Sequence, residues 1–386
     1  MKIVLAPDSF KGSLTAQQIC DAMAEGVCRA YPSAEVVQVP MADGGEGTAA
    51  ALVAATNGQM RYVNVEGPIG DTVQGFYGIL GSKCDMLTAV IEMAAAAGLP
   101  LLLSKKRNPL KTSTYGVGQL IKAALNEGVG KFIIGIGGSA TNDCGCGMMQ
   151  ALGIKFLDAD GHKIRERLTG GNLRRVADID ARTLLPAAKE SSFIVACDVE
   201  NPLLGPMGAT YTYAGQKGAS DTDKIELESN LSHIINLIEK ATGCVVRNKA
   251  GAGAAGGMGA ALMAFLDAKT HRGIELVMSE SHFAVHLQNA DIVITGEGRL
   301  DGTSVYGKVV GGIAEQAVLQ HVPTIVLAGG IGKDAHNILN KGVAAYFSIC
   351  TGPMSLEYAQ QNAHKLIAES IEQIIRLFCC GKVLNK

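Results

Sequence analysis

Acids and cations recur in this chain just after short apolar runs, with glycines around them. Five loop segments stand out, most of them carrying an acid, a lysine or an arginine: Pro7-Asp8-Ser9-Phe10-Lys11, Ala42-Asp43-Gly44-Gly45-Glu46-Gly47-Thr48, Gly135 to Asp143, Gly251 to Gly259, and Thr295-Gly296-Glu297-Gly298-Arg299-Leu300-Asp301. Glycine lets backbone N–H groups approach an anion closely. Loops at the carboxyl ends of parallel strands are where open α/β sheets bind ligands. The combination points to phosphate handling.

The acids Asp8, Asp43, Glu92, Asp198 and Glu297 each follow or end an apolar run, with Asp301 just beyond. One or two such acids are routine helix caps. Five converging on a cleft would suit magnesium and a general base. Phosphoryl transfer needs cations on the β/γ oxygens, a positioned acceptor hydroxyl and an acid to take its proton. A well-placed base contributes roughly 10²–10⁴-fold. Lys11 and Arg299 are the obvious cations, able to hold phosphate or, for the arginine, to clamp a carboxylate bidentately; a salt bridge to a neighbouring acid is the plain alternative. Lys217, in Gly215-Gln216-Lys217-Gly218, reads equally as a further anion ligand and as a surface lysine.

Gly135 to Gly147 is the stronger anion candidate. It follows Phe132-Ile133-Ile134 and supplies Gly137, Gly138, Ser139, Thr141, Asn142 and Asp143 before Met148 to Leu152. Asp143 either meets a metal-bound water or caps that helix. Gly251 to Ala260, including Gly253, Gly256 and Gly257, runs into a helix over Gly259 to Leu266, whose N-terminus could hold a phosphate. Tight packing through small residues is the competing account.

Other fingerprints are weaker. Gly302 to Val309 has the spacing of a P-loop, but Val309 stands where a Ser or Thr should hold magnesium, and a loop precedes it. Gly251-x-Gly253-x-x-Gly256 fits a dinucleotide pattern without a good preceding strand or a convincing acid ~20 positions later. His282 and His286 lack a third ligand, and Cys144-x-Cys146 lacks a second pair, so both read as packing. No G-x-S-x-G elbow supports serine hydrolase chemistry.

Composition bounds the classes. The 386 residues suffice for two domains. A net charge of −2 and scattered cations exclude the basic footprint of a nucleic-acid binder. The longest apolar stretch, Ala89 to Leu103, is interrupted by Glu92 and Gly98-Leu99-Pro100, so no membrane span is expected. Ten cysteines diluted over the chain fit reduced thiols and a cytoplasmic protein.

The elements that must position these residues alternate. Lys2–Ala6, Glu35–Val39, Thr88–Glu92, Lys131–Ile136, Phe193–Ala196, Asp291–Thr295, Thr324–Ala328 and Ala344–Ile349 read as strands. Helices fall between several of them, one through Ala30 with Ser13 as its N-cap. Arg61–Val65 and Val73–Leu80 alternate like antiparallel strands around the turn at 67–71. The reading is α/β with two domains. A discontinuous Rossmann-like parallel-sheet domain comes from both chain ends, residues 1–65 and 286–386. A mixed α/β domain, residues 66–285, is inserted, with the active site expected in the cleft between them.

At this point the chain resembles the type 1 bacterial glycerate kinase family. The residues that carry the resemblance are Pro7 to Lys11 with Ser13-Leu14, Ala42 to Thr48, Gly137 to Asp143, Ala196 to Val199 with Asn201-Pro202-Leu203, Gly251 to Gly257, and Thr295 to Arg299. They stand in family order over nearly the whole chain. Departures fall at Cys144, Cys146, Gly215, Thr303 and Val310 and leave the acids and cations intact. The resemblance implies phosphorylation of D-glycerate by ATP and Mg²⁺ to 2-phosphoglycerate, feeding glycerate into glycolysis.

On that footing the glycerate carboxylate is expected on Arg299, Ser9 or Lys11. Asp198 is the expected base, with Asp43 as the second choice. The loop carrying Gly137, Gly138, Ser139, Thr141 and Asn142, and the start at Gly253, Gly256 and Gly257, are expected to hold ATP phosphates. Magnesium would have Asp8, Asp43 or Glu297 in its shell. The expected partners are D-glycerate and ATP, with neither nucleic acid nor membrane, and with a homo-oligomer left open. The rivals are an NAD-dependent 2-hydroxy-acid dehydrogenase, motivated by Gly251–Gly256, and a non-catalytic hydroxy-acid sensor.

Overall fold

Short Val/Ile-rich runs become strands, in chain order β1 (Lys2–Leu5), β2 (Glu35–Gln38), β3 (Gln59–Glu66), β4 (Thr72–Ile79), β5 (Thr88–Glu92), β6 (Lys131–Gly135), β7 (Lys155–Leu157), β8 (Asp178–Asp180), β9 (Ser192–Ala196), β10 (Lys269–His271), β11 (Ile292–Leu300), β12 (Thr324–Ile331) and β13 (Val343–Ser348). The computed structural model describes residues 1–81, 86–304 and 308–384, with side chains to 380. Two compact units divide the chain: Met1–Asp43, Ala50–Asn57 and Ile274–Lys386 form one, and Gly44–Ala49 with Gly58–Gly273 the other.

The first unit holds a five-stranded parallel sheet in the order β13-β12-β11-β1-β2. Ile3, Val4 and Leu5 are fully buried, as expected for a parallel strand covered on both faces. Ile19 and Met23 of the helix Ala16–Ala30 and Ile367 and Ile371 of the helix Ala363–Leu384 pack on Ile3, Leu5, Ile292 and Ile294. From β1 the chain passes through Ala16–Ala30 to β2. From β11 it passes through the helix Val309–Leu319 to β12, on the opposite side. The carboxyl ends of β1 and β11 therefore lie at a topological switch point, the favoured ligand position of an open parallel sheet.

The second unit holds a six-stranded mixed sheet, β10-β9-β6-β5-β4-β3. β3 and β4 pair antiparallel, as do β4 and β5, while β5, β6, β9 and β10 run parallel. β7 and β8 form a separate two-stranded antiparallel sheet. The register puts Glu92, Gly135, Ala196 and His271 in one row at the carboxyl ends of the parallel strands.

Several expectations need correction. The N-cap of Ala16–Ala30 is Thr15, which exchanges backbone and side-chain hydrogen bonds with Gln18 as a capping box. Ser13 instead donates its hydroxyl to the Gln360 carbonyl at 2.9 Å. β11 does not end at Thr295, because Gly296, Glu297, Arg299 and Leu300 continue to pair with β12. Residues 44–49 and 58–65 fall in the second unit, the latter where β3 pairs with β4. Residues 274–285 fall in the first, where Ile274 packs against Gly312.

One glycine sets a helix contact. A Cβ on Gly26 would lie 2.3 Å from the Ala368 carbonyl oxygen and 2.9 Å from the Ile371 Cβ. Alanine favours a helix interior by about 1 kcal/mol over glycine, but overpacking costs about 1–3 kcal/mol. Gly26→Ala is expected to lower the thermal midpoint, read by circular dichroism. An unchanged or raised midpoint would mean that the two helices part without cost.

Candidate active site

In the first unit, the switch point gathers the expected metal and substrate residues. The Asp8 N–H donates to the Gly296 carbonyl at 2.8 Å, which ties the segment after β1 to the outer half of β11. Gly298 lies against Phe10 and Lys11, where a Cβ would come within 3.4 Å of the Phe10 Cα. Glu297 and Arg299, two apart on a strand, share a face. Arg299 is largely exposed, its Nε 3.7 Å from the Asp301 carboxylate. Ser9 is half-buried and Lys11 exposed.

The charges here strain one another. Burial pushes the Asp8 carboxyl up to about 6, helped by the nearby Asp43 charge and opposed by Ser9 and Lys11. Burial pushes Glu297 up to about 7; Ser304 and Lys308 pull down, while Asp8 and Asp301 push further up. The Glu297 Oε1 is buried and has no hydrogen-bond partner. Partly desolvated carboxylates with an unmet acceptor are the donor chemistry that a hard divalent cation satisfies. Mg²⁺ retains several waters and takes only one or two carboxylates, so these acids fit it without forming a closed cage.

The sequence reading missed two residues here. Ser304 is fully buried and hydrogen-bonds Glu297. The Lys308 ammonium donates to the Thr303 hydroxyl at 2.8 Å and is felt by Glu297 and Asp301. The signal is the Gly-Lys of the P-loop-like spacing, a weak fingerprint by itself; Val305, Tyr306 and Gly307 of that spacing lie outside the described residues.

In the second unit, the row at the strand ends carries the rest. Glu92 proves to be a cap: its carboxylate accepts from the Gly47 N–H at 3.2 Å and the Ala49 N–H at 2.8 Å. Gly44 lies over the row, so close that a Cβ on Gly135 would meet its carbonyl oxygen at 2.7 Å. Asp198 follows β9 and is exposed; its carboxylate accepts from the Gly273 N–H at 2.9 Å.

The loop after β6 is pinned through its carbonyls. Gly138 O accepts from the Leu99 N–H at 2.9 Å, Ala140 O from the Thr112 hydroxyl at 2.8 Å, and Thr141 O from the Lys217 ammonium at 2.7 Å. A planar trans peptide points its N–H opposite its carbonyl. Each pin therefore turns the next residue's N–H away from it, at Ser139, Thr141 and Asn142. Among the described residues, those three N–H groups and those of Gly137 and Gly138 have no hydrogen-bond acceptor. The Thr141 Oγ1 and Asn142 Oδ1 are also buried without partners. Gly137 and Gly138 are exposed, whereas Ser139, Thr141 and Asn142 are buried. Buried polar groups are nearly always paired in folded proteins, so the unmet groups of those three residues mark a candidate ligand cradle.

Beneath the loop, Asp143 is completely buried. It accepts from the Thr114 N–H at 2.8 Å, the Thr114 hydroxyl at 2.7 Å, and the Gly145 and Gly147 N–H groups, both at 3.2 Å. Burial raises its pKa against those bonds. Asp143 is thus the capping acid and not a metal ligand.

Gly253, Gly256 and Gly257 are accounted for by packing. All three are buried, and a Cβ would lie 2.1 Å from the Pro202 carbonyl oxygen, 2.1 Å from the Thr141 carbonyl oxygen and 2.8 Å from the Leu203 Cδ1, respectively. Ala255, Gly256 and Gly257 are left-handed, so the regular helix of the stretch Ala254–Leu266 begins only after them. The dinucleotide-like spacing does not follow a strand, which removes the motive for a nicotinamide reading. Asp158, Asp160 and His162 bring potential ligand atoms within 4.8 Å of one another. They form a turn in which the Asp158 carboxylate accepts from the N–H groups of the other two. Among the described residues, no helix is long and apolar enough to cross a membrane.

The comparisons with known proteins agree with one another. The model of the Glycerate kinase family matches residues 3–379. A glycerate kinase of Halalkalibacterium halodurans is 47% identical over 96% of this chain and 97% of its own. The glycerate 2-kinase of Escherichia coli is 46% identical over 99% of each chain. A crystal structure from Salmonella typhimurium LT2, assigned as a glycerate kinase 2, superposes with a TM-score of 0.89 at 42% identity and covers 99% of both chains.

Two outcomes are expected from the geometry. Glu297 ordinarily titrates at 4.5 and here at about 7, so its contribution to stability is fully present below 4.5 and lost as pH rises to 7. With chelator present, Glu297→Gln should gain thermal stability relative to the parent across that window and hold the gain above it; a constant difference would refute the shift. Thr141→Val removes a buried hydroxyl without a protein partner. It should keep or raise the thermal midpoint while weakening nucleotide binding, and a lower midpoint with unchanged binding would mean that the hydroxyl serves the fold.

Proposed function

The chain belongs to the glycerate kinase family, and we propose that it transfers the γ-phosphoryl group of ATP to the 2-hydroxyl of D-glycerate. The observation that carries this reading is the loop from Gly137 to Asn142, where the carbonyls of Gly138, Ala140 and Thr141 are pinned and the N–H groups of Gly137, Gly138, Ser139, Thr141 and Asn142 have no acceptor among the described residues, the Ala140 N–H alone being spent on the Ala97 carbonyl. Such a cradle is chemically suited to phosphate oxygens. The names of the similar proteins support the acceptor.

In this reading Gly137, Gly138, Ser139, Thr141 and Asn142 hold the nucleotide phosphates. One or two of Asp8, Asp43 and Glu297 would hold Mg²⁺, which would neutralise charge on the transferring group. Arg299, Lys11 and Ser9 hold the glycerate carboxylate, the arginine through its two-pronged guanidinium. The 2-hydroxyl oxygen attacks the γ-phosphorus, a new O–P bond forms, and the bond to the ADP oxygen breaks. The hydroxyl proton passes to Asp198, which the Gly273 N–H holds in place. Asp43 is the second choice for that proton.

The test is ADP release with ATP and Mg²⁺, with and without D-glycerate, and the product identified by ³¹P NMR. The expected outcome is release only with glycerate, giving the 2-phosphate. Release without glycerate, or the 3-phosphate, would overturn the reading. Asp198→Asn should lower kcat by about 10²-fold or more with unchanged melting, whereas near-parental turnover would transfer the base to Asp43.

A further inference from the structure

Lys217 is a buried ionisable side chain that the reaction above does not use. Its side chain is 1% exposed, and its ammonium donates to the Thr141 carbonyl at 2.7 Å. Burial lowers its pKa to about 7, with Asp143 opposing. A fully buried ammonium costs a fold several kcal/mol unless its surroundings repay it, and an apolar side chain of similar volume is often as stable or better. Packing alone gives no reason for a charge here. The carbonyl it holds does.

We propose that Lys217 is a positioning residue for the phosphate loop: by fixing the Thr141 carbonyl it directs the Asn142 N–H at the nucleotide. Two further features converge on the same peptide. A Cβ on Gly256 would lie 2.1 Å from the Thr141 oxygen, so backbone closes on that carbonyl from another side. The Cys144 N–H donates to the Gly256 carbonyl at 3.0 Å, holding that segment against the loop. The Asn142 amide in turn reaches the Thr210 hydroxyl at 3.4 Å and leaves its Oδ1 unpaired. Without the ammonium, the Thr141–Asn142 peptide loses the donor that sets its orientation, and the N–H on its far side loses its aim. Lys217 itself is too buried to touch the nucleotide, so its effect passes through the loop. The inference rests on the reading that this loop holds the ATP phosphates.

The test compares Lys217→Met, which keeps volume without a donor, and Lys217→Gln, which restores an N–H donor without the charge. KM for ATP should rise about tenfold or more in Lys217→Met, KM for D-glycerate should stay within about twofold, and Lys217→Gln should recover part of the loss. The thermal midpoint should not track these changes. Equal KM values for ATP in parent and Lys217→Met would overturn the proposal. So would both KM values rising together with a falling midpoint, and so would failure of both variants to fold, since the lysine would then be a folding element. Calorimetric titration of the parent with ADP separates the two readings. No binding by the parent, or unaltered binding by Thr141→Val, defeats the loop assignment. Altered binding by Thr141→Val beside unaltered binding by Lys217→Met defeats only the role of the lysine.

Discussion

A carboxylate and an ammonium withdrawn from water set the shape of the loop that follows β6. Asp143 gathers four donors, and hydrogen bonds to a charged group contribute about 1.5–3 kcal/mol each, which matches the several kcal/mol needed to desolvate it. The Thr114 hydroxyl that serves Asp143 also accepts from the Met148 N–H at 2.9 Å, so the same network anchors the helix Cys146–Ala151. Lys217 is compensated less completely, with one hydrogen bond from its ammonium among the described residues and the Asp143 charge nearby. The loop above inherits its rigidity from these two charges, and its open amides follow from where its carbonyls are tied.

The first unit handles charge in the opposite manner. The Asp43 charge raises the proton affinity of Asp8, and the Asp8 charge that of Glu297, while the cations Lys11, Arg299 and Lys308 are exposed. In the second unit buried donors are already committed to a carboxylate. In the first, acceptors remain in excess and call for a positive partner from outside. The strand geometry enforces this, because extending β11 to Leu300 places Glu297 and Arg299 on one face beside the segment after β1.

Most of the strands were legible, since continuous apolar runs such as Ile3–Leu5 and Phe132–Ile134 need burial on both faces. The three-residue strands β7, β8 and β10 were not: Lys155–Leu157 and Asp178–Asp180 show too few residues for a period, and Lys269–His271 is exposed throughout. The extension of β11 was hidden by glycines that read as a loop, although Gly296 is required there by a Leu327 carbonyl 2.2 Å from any Cβ. Residue type alone could not separate glycines that bare their amides, at 137 and 138, from those that admit a neighbouring backbone, at 253 and 256. That distinction lives in long-range packing. Lys217 was visible as a candidate, but its burial, and hence its meaning, was not.

The first sheet has a history built into its connectivity. β1 sits between β2 and β11, and the Lys2 N–H bonds the Asp291 carboxylate at 2.8 Å across 289 positions of chain. During synthesis the amino-terminal strand must therefore wait, apolar on both faces, until more than three quarters of the polypeptide has left the ribosome. The inserted unit has every strand of its sheet between Gln59 and His271 and can close first. Its completion shortens the effective loop that the chain ends must bridge, so the order of emergence lightens the entropy of joining them.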